Sequence, residues 1–230
     1  MSKIKILYLT NTSRLSGAEK IIYDLATGLN KEDYEIKVCT IKDNLKDQLL
    51  DKLDKRNIKT DCLELNKKWK VWKIFKLFSI IKNFKPDIIH THLFHADLLG
   101  RLFNLVNLNK SIIISTNHST DIGGALREKI LKITDFLNFK TIAVSKQVVK
   151  YNQKITFTSK TELIYNGVGF KNFNLYQKNK KIKQELGFSK KDIIFLKTFK
   201  KFVYKMPKLH NFNKQSYGVV NKIRYDFRKV

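Results

Sequence analysis

The sequence predicts an α/β protein whose core is one open parallel sheet of the Rossmann-like type. Short apolar runs, typical of strands buried on both faces, alternate strictly with helical patterns over residues 3–168. A glycine, Gly17, stands in the first turn of the first predicted helix. Polar and histidine residues gather where several strands end, and ligands bind such sheets at the carboxyl ends of their strands.

Seven apolar runs predict strands, and helical patterns lie between them. The predicted strands are Ile4–Leu9, Tyr34–Ile41, Ile58–Leu65, Asp87–Thr91, Ser111–Asn117, Lys140–Val144 and Thr161–Tyr165. The predicted helices are Ala18–Leu29, Asp43–Arg56, Trp69–Phe84, Phe94–Val106, Gly123–Leu137 and Lys146–Phe157. A further apolar run predicts a strand at Asp192–Leu196. The 230 residues suffice for one α/β domain with part of a second.

The loop Thr10–Gly17 between the first strand and the first helix has the pattern of an anion site. Ser16 and Glu19 have the spacing of a capping box, with Ser16 at the N-cap and Glu19 three residues later. Because Gly17 has no side chain, a ligand can approach the free backbone N–H groups of the first turn. These groups and the helix dipole attract a phosphate.

Three histidines, His90, His92 and His95, follow one another where the fourth predicted strand ends. The H-x-H pair places His90 and His92 on the same face of the strand and could chelate zinc with a third ligand. No carboxylate or cysteine falls at a convincing ligand spacing. We therefore favour hydrogen bonding in a pocket, with a purely structural role open for His90.

Another histidine, His118, follows the next strand and is placed to hydrogen-bond a ligand hydroxyl or phosphate at the same edge. The segment 121–124 after it is either a flexible pocket rim or a plain loop. Farther along, Ser145 is expected to serve as the N-cap of the helix that begins at Lys146.

The net charge of +26 favours anionic partners such as nucleic acid, anionic lipid or a phosphorylated substrate. Residues 171–230 contribute +14 of this charge. Lysine is abundant throughout, and we attribute the larger share of the charge to this bias. No stretch is long and apolar enough to span a bilayer, and the N-terminus lacks a signal-peptide pattern. The isolated Cys39 and Cys62 indicate free thiols in a reducing cytoplasm.

The segment Trp69–Lys85 combines aromatic residues with lysines at three-residue spacing. Such a helix can lie on an anionic membrane surface, which would make the protein peripheral at the inner membrane face. A solvated outer helix of the sheet explains the same pattern, and we favour that interpretation.

Six motifs in order resemble the N-terminal half of the GT-B glycosyltransferases of family four. They are Ile6–Thr10, Ser16-Gly-Ala-Glu19, Pro86-Asp-Ile-Ile-His-Thr-His92 with Ala96-Asp-Leu-Leu-Gly100, Ser115-Thr-Asn-His118, Ile142-Ala-Val-Ser145 and Leu163-Ile-Tyr-Asn-Gly-Val168. The resemblance implies two facing Rossmann-like domains with the reaction in the cleft between them. It also implies polysaccharide or lipid-linked products and a nucleotide-sugar donor, with no cofactor or required metal.

Carried over by position, the family resemblance assigns roles to five residues. The backbone of Gly17 would approach the donor diphosphate, and His118 would contact the transferred sugar as the catalytic residue. His92, His95 and Asn117 would line the acceptor side. The leaving diphosphate is stabilised in the family by basic side chains and backbone N–H groups, a form of electrostatic catalysis.

The second half departs from the family pattern. Residues 1–168 are predicted to form the glycosyltransferase N-terminal domain, 169–207 a linker with a fragment of the second domain, and 208–230 a basic disordered tail. The family's Gly-Arg loop and following lysine do not appear after Leu196, and its late pair of glutamates is missing.

These departures leave three hypotheses: an incomplete enzyme that is weak or inactive alone, the acceptor-side subunit of a split enzyme with a separate donor-binding chain, or a basic non-enzymatic protein that binds nucleic acid or membrane. The ordered motifs favour a glycosyltransferase, and we do not expect specific nucleic-acid binding.

Overall fold

The computed structural model describes residues 2–42, 49–65, 72–105, 111–157 and 160–167, and all of them belong to one compact unit. The predicted strand at Asp192–Leu196 and the predicted segments 169–207 and 208–230 lie outside the described residues. The same holds for the beginnings of the predicted helices at Asp43 and Trp69.

Seven parallel strands form a single open sheet in the order β3-β2-β1-β4-β5-β6-β7. Their bounds are β1 Ile4–Thr12, β2 Tyr34–Lys42, β3 Lys59–Cys62, β4 Ile88–His92, β5 Ile112–Asn117, β6 Lys140–Ala143 and β7 Thr161–Leu163. The predicted fold class, an open parallel Rossmann-like sheet, is confirmed. The strand order reverses between β1 and β4, which creates the crevice that ligands use in such sheets.

Six helices connect the strands, and a 3-10 turn at Asp135–Leu137 follows the fifth. They are α1 Gly17–Gly28, α2 Leu49–Asp54, α3 Phe75–Phe84, α4 Phe94–Leu105, α5 Ala125–Ile133 and α6 Lys146–Ile155. One core packs α3 and Ala96 of α4 against Leu7, Leu9 and Ile89. The other core packs α1 and α2 against the alternate strand residues Ile6 and Tyr8. The sheet is thus covered on both faces, which explains the continuous apolar run in β1.

Several predicted elements begin or end at other residues than the sequence suggested. The predicted helix Gly123–Leu137 begins only at Ala125, because Gly123 and Gly124 adopt φ of 98° and 105°, which are not helical values. The predicted strand Ile58–Leu65 ends at Cys62, and Glu64 soon after it has a φ of 56°. In contrast, β1 runs on to Thr12 through residues predicted as loop.

Helix α4 packs tightly against β4 at Gly100 and contains a buried ion pair. A Cβ atom added to Gly100 would meet Cγ2 of Thr91 at 2.7 Å, so only glycine fits at this crossing. Nearby, Arg101 donates from Nη2 to Oδ2 of Asp97 at 2.8 Å and from Nε to Oδ1 at 2.9 Å. Both side chains are almost completely buried. Oδ1 of Asp97 also accepts from Oγ1 of Thr91 at 3.0 Å, and this bond joins the start of α4 to β4.

Candidate functional site

The ends of β1, β4 and β5 meet at the point where the strand order reverses. In the sheet register Thr10 lies beside His92, and His92 lies beside Thr116. Since all three strands are parallel, the polar residues at their carboxyl ends share one edge. This edge is the candidate site that the sequence predicted.

A stack of rings occupies the crevice at this edge. The ring centroid of His92 lies 4.6 Å from that of His90 and 5.2 Å from that of His118. The ring of Tyr8, from β1, lies 5.3 Å from His90. The prediction that His90 and His92 share a face of the strand is confirmed. Tyr8 is predicted only as a strand residue, because nothing in its local pattern reveals the neighbours supplied by β4.

A direct hydrogen bond joins two of the predicted site residues. Nδ1 of His92 lies 2.9 Å from Nε2 of His118. The side chain of His92 is fully buried, whereas His118 is half-buried. On the other side of His92, Nε2 of His90 lies 2.7 Å from Oγ1 of Thr116. His118 therefore stands at the border of the crevice, with His92 and His90 behind it.

The surroundings keep these histidines uncharged near neutral pH. Burial, together with the neighbouring His118, lowers the pKa of His90 to about 4. Burial also holds the pKa of His92 well below its usual value and lowers the pKa of His118. Removal from water disfavours the charged imidazolium. The cluster can therefore donate and accept hydrogen bonds, but it does not supply positive charge to a phosphate.

The first helix begins with a different set of contacts from the predicted capping box. Ser16 is the N-cap residue, but its hydroxyl donates to the carboxylate of Glu19 and caps no backbone N–H. Glu19 is fully buried and also accepts from Oγ1 of Thr10 at 3.2 Å. The predicted capping box is therefore wrong, because the Ser16 hydroxyl and the Glu19 carboxylate bond each other instead of the backbone N–H groups.

Gly17 opens α1 and is exposed at the predicted anion site. An added Cβ atom would find no atom within 4 Å, so the backbone there is accessible. The carboxylate of Glu19 lies within the same first turn and repels an anion, whereas the helix dipole attracts one. This loop can therefore contact a ligand through its backbone N–H groups rather than through a charged side chain.

Asn11 and His95 form a second contact across the strand-order reversal. Oδ1 of Asn11 accepts from the backbone N–H of Ala96 at 3.0 Å and so caps α4 from another strand. Nδ2 of Asn11 lies 3.3 Å from Nδ1 of His95, which is exposed. Leu93, which lies between β4 and α4, has a φ of 72°, a left-handed conformation that costs energy in a branched residue. Asn11 was not predicted, although a polar residue that ends a buried strand is a usable signal.

Asn117 is turned toward α6 rather than toward the histidines. Its Nδ2 donates to Oδ1 of Asn152 at 2.7 Å, and its Oδ1 accepts from the backbone N–H of Ser119 at 3.2 Å. Ser145 at the start of α6 accepts from the N–H of Val148 at 3.3 Å, which confirms it as the N-cap. Of the predicted site residues, the structure joins His92 to His118, while His95 and Asn117 bond elsewhere along the edge.

Within the described ranges, no group of three His, Cys, Asp or Glu side chains is arranged to hold a metal ion. Across the same part of the chain, no helix has both the length and the apolar character needed to cross a membrane. Cys39, which is buried, and Cys62 form no disulfide within this part of the chain.

Comparison with known proteins identifies relatives of this architecture. Residues 15–170 match the family model described as Glycosyltransferase Family 4. No curated protein matches the chain.

Three solved structures share the fold at low sequence identity. HepE of Anabaena in complex with UDP is 17% identical, with a TM-score of 0.64 over 80% of this chain and 50% of HepE. A glycosyltransferase from Rickettsia africae is 20% identical, with a TM-score of 0.63 over 83% and 51%. Sucrose-phosphate synthase from Thermosynechococcus elongatus is 15% identical, with a TM-score of 0.61 over 81% and 53%. This chain thus spans about half the length of each.

Proposed function

The chain belongs to Glycosyltransferase Family 4, and from that premise we propose that it forms the acceptor-side half of an enzyme that moves a sugar from a nucleotide-sugar to a glycan or lipid-linked acceptor. One observation carries the proposal. His118, the residue that matches the family's sugar-contacting histidine, stands half-buried at the strand-order reversal and is held there by His92. A cleft for sugar transfer needs such a fixed polar group beside the reacting carbon.

Donor binding at this edge uses neutral hydrogen-bonding groups. In the proposal, backbone N–H groups at Gly17 approach the donor diphosphate, and His118 meets a hydroxyl of the transferred sugar. The buried carboxylate of Glu19 limits how much negative charge this edge alone can stabilise. As the bond to the leaving diphosphate breaks, its growing charge must therefore be met by basic groups on the opposite wall.

The acceptor is proposed to enter beside the start of α4. His95 is exposed there and keeps its second ring nitrogen, Nε2, for an acceptor hydroxyl. Asn117 would bind the acceptor only if its hydrogen bonds to Asn152 and Ser119 were broken. His92 is fully buried, so its part in acceptor binding would act through His118.

The single chain is proposed to bind donor weakly and to be weak or inactive alone. The chain spans about half of its structural relatives, and the Gly-Arg loop and lysine expected on the donor side do not appear in its sequence. A separate donor-binding chain would supply them. HepE of Anabaena, which shares the fold, was solved with UDP bound, and this supports a nucleotide-sugar as the donor. No cofactor is proposed beyond the donor itself.

Saturation-transfer NMR tests this function directly. A panel of nucleotide-sugars, the free nucleotides and the free sugars would each be mixed with the full chain. We expect transfer to both the sugar and the diphosphate-linked ribose of at least one nucleotide-sugar, and less to the His118→Ala variant. Equal transfer to the variant, or none to any nucleotide-sugar, would refute the proposal.

Our second proposal is that the start of α3 contacts an anionic membrane surface. Trp72 and Phe75 are 66% and 69% exposed at the start of α3. Lys76 donates to the carbonyl of Cys62, and Lys73 pairs with Glu64, so this end of α3 lies beyond the end of β3. Exposed aromatic rings beside lysines can enter a headgroup layer. The same contacts also use part of the lysine charge within the protein, which weakens the attraction.

A further inference from the structure

The hydrogen bond between His92 and His118 leaves one buried nitrogen without a partner. Nε2 of His92 is inaccessible to solvent and meets no hydrogen-bonding atom in the described part of the chain. Its other nitrogen, Nδ1, lies 2.9 Å from Nε2 of His118. Each neutral imidazole carries one N–H proton, and only one of the two protons can lie between Nδ1 of His92 and Nε2 of His118.

Two arrangements of the protons satisfy the contact. In the first, Nδ1–H of His92 donates to Nε2 of His118, so the proton of His118 is on Nδ1. In the second, Nε2–H of His118 donates to His92, whose own proton is then on the partnerless Nε2. The two arrangements give His118 opposite properties at its free nitrogen, a donor in the first and an acceptor in the second.

Burial favours the first arrangement. An N–H group buried without an acceptor loses the whole of its bond to water and is rare in folded proteins, whereas an acceptor without a donor is better tolerated. The first arrangement leaves a lone pair on the buried Nε2 of His92, and the second leaves an N–H group there. The proton therefore belongs on Nδ1 of His92.

The ring of His92 is also prevented from turning. It lies between the rings of His90 and His118, at centroid distances of 4.6 Å and 5.2 Å, and the His118 pair is nearly parallel. His90 is itself fixed by its contact with Thr116 at 2.7 Å. A half-turn of His92 would replace Nδ1 by a carbon at the contact, so the packing and the hydrogen bond support the same orientation.

We propose that His92 is a positioning residue that fixes the tautomer of His118, so that His118 presents an Nδ1–H donor at the edge of the sheet. No described residue bonds that nitrogen, and the side chain is half-buried. A ligand atom that meets it must be an acceptor, such as a hydroxyl oxygen of a sugar or an oxygen of the diphosphate. The identity of that ligand rests on the proposed function, whereas the tautomer does not.

Two-bond proton–nitrogen NMR correlations of the full ¹⁵N-labelled chain at pH 7.5 test the inference without any ligand. They distinguish protonated from unprotonated ring nitrogens. We expect His118 to be protonated at Nδ1, and His92 also at Nδ1. A wild-type spectrum with His118 protonated at Nε2 would overturn the proposal, even if no variant could be purified.

Two substitutions separate the hydrogen bond from the packing. His92→Phe keeps a ring in the stack but removes the donor, and the Nδ1–H form of His118 should no longer be the majority. His92→Asn carries an amide N–H close to the position of Nδ1 and should restore that form. His90→Phe, which leaves the His92 contact in place, is the control and should not change the His118 tautomer. An unchanged tautomer in His92→Phe would contradict the assigned role.

The same variants address the ligand. If a nucleotide-sugar binds, His92→Phe should weaken it by about threefold to tenfold, the worth of one neutral hydrogen bond, and His92→Asn should recover most of the loss. Binding that is equal in wild type and His92→Phe would contradict a donor role for His118. If the tautomer is as expected but no nucleotide-sugar binds, the proposed function fails while the positioning role of His92 stands.

Discussion

His92 and His118 connect the ends of two adjacent strands, with Nδ1 of the first 2.9 Å from Nε2 of the second. The residues are 26 positions apart and meet because β4 and β5 pair in a register that places His92 beside Thr116. The half-buried His118 is thereby held at the edge by a fully buried partner. The proposed sugar-contacting group thus lies just after β5 and is bonded to the strand-end residue His92 of β4.

The buried histidines predict a loss of stability in mild acid. Burial lowers the pKa of His90 to about 4 and also lowers that of His118, whereas an unfolded histidine titrates near 6.5. The unfolded chain therefore binds more protons, so stability is full above about pH 6.5 and falls as the pH drops toward 4. Each histidine contributes up to about 1.4 kcal/mol per pH unit. Urea unfolding between pH 7.5 and 5 measures this slope.

The His90→Phe variant tests whether His90 causes part of that slope. It should reduce the dependence on pH between 6.5 and 5, where ordinary carboxylates remain ionised. A slope identical to that of the wild-type chain would contradict the assignment of the acid sensitivity to His90.

The Asp97→Asn substitution should destabilise the fold strongly. It removes the charge that faces Arg101, whose side chain is 1% exposed. Loss of one partner from a buried ion pair costs about 3–5 kcal/mol, since the other charge stays buried without full compensation. The matched control is Glu162→Gln in the exposed pair with Lys140, which should cost less than about 1 kcal/mol. Equal losses in the free energy of unfolding would disprove this account of α4.

The Gly100→Ala substitution should also destabilise the protein, although alanine is the better helix former. The added methyl group would lie 2.7 Å from Cγ2 of Thr91, and such overpacking costs about 1–3 kcal/mol. Gly28→Ala, at the end of α1, meets no atom within 4 Å and should leave stability within about 1 kcal/mol. Thermal melts of both variants check the contrast, and a Gly100→Ala protein as stable as wild type would show that α4 can shift.

Membrane association, if it occurs, should depend on the start of α3. The Trp72→Ala and Phe75→Ala double variant should float less with vesicles that contain anionic lipid than the wild-type chain does, and salt should weaken the wild-type binding. Phe139→Ala is the control, because Phe139 is 63% exposed but lies at the amino end of β6. Equal flotation of the double variant and the wild type would exclude α3 as the contact.

Strands β1 and β2 could be predicted from the sequence because more than half of their residues are buried and most of these are apolar. Helix starts were less predictable, since they depend on conformations such as the positive φ of Gly123 and Gly124. The predicted capping box was wrong because Glu19 is buried and accepts from Thr10, a contact between chain segments that spacing cannot reveal.

The candidate site was predictable in place but not in detail. Strand ends identify His92 and His118 as neighbours of one edge, because parallel strands end together. Their hydrogen bond depends on the exact pairing of β4 with β5, which local patterns do not encode. The partners of Asn117 and the role of Asn11 arise in the same way, from contacts with residues distant in sequence.

The edge formed by β1, β4 and β5 is proposed to bind the donor of a sugar transfer. Titration of the ¹⁵N-labelled full chain with a panel of nucleotide-sugars, followed by backbone amide shifts, tests it most directly. We expect shifts confined to residues near Gly17 and His118, with a Kd of about 1 mM or weaker, because this domain supplies only part of the donor contacts. His118→Ala should weaken that binding about threefold to tenfold. Shifts at another surface, or none with any nucleotide-sugar, would contradict the claim.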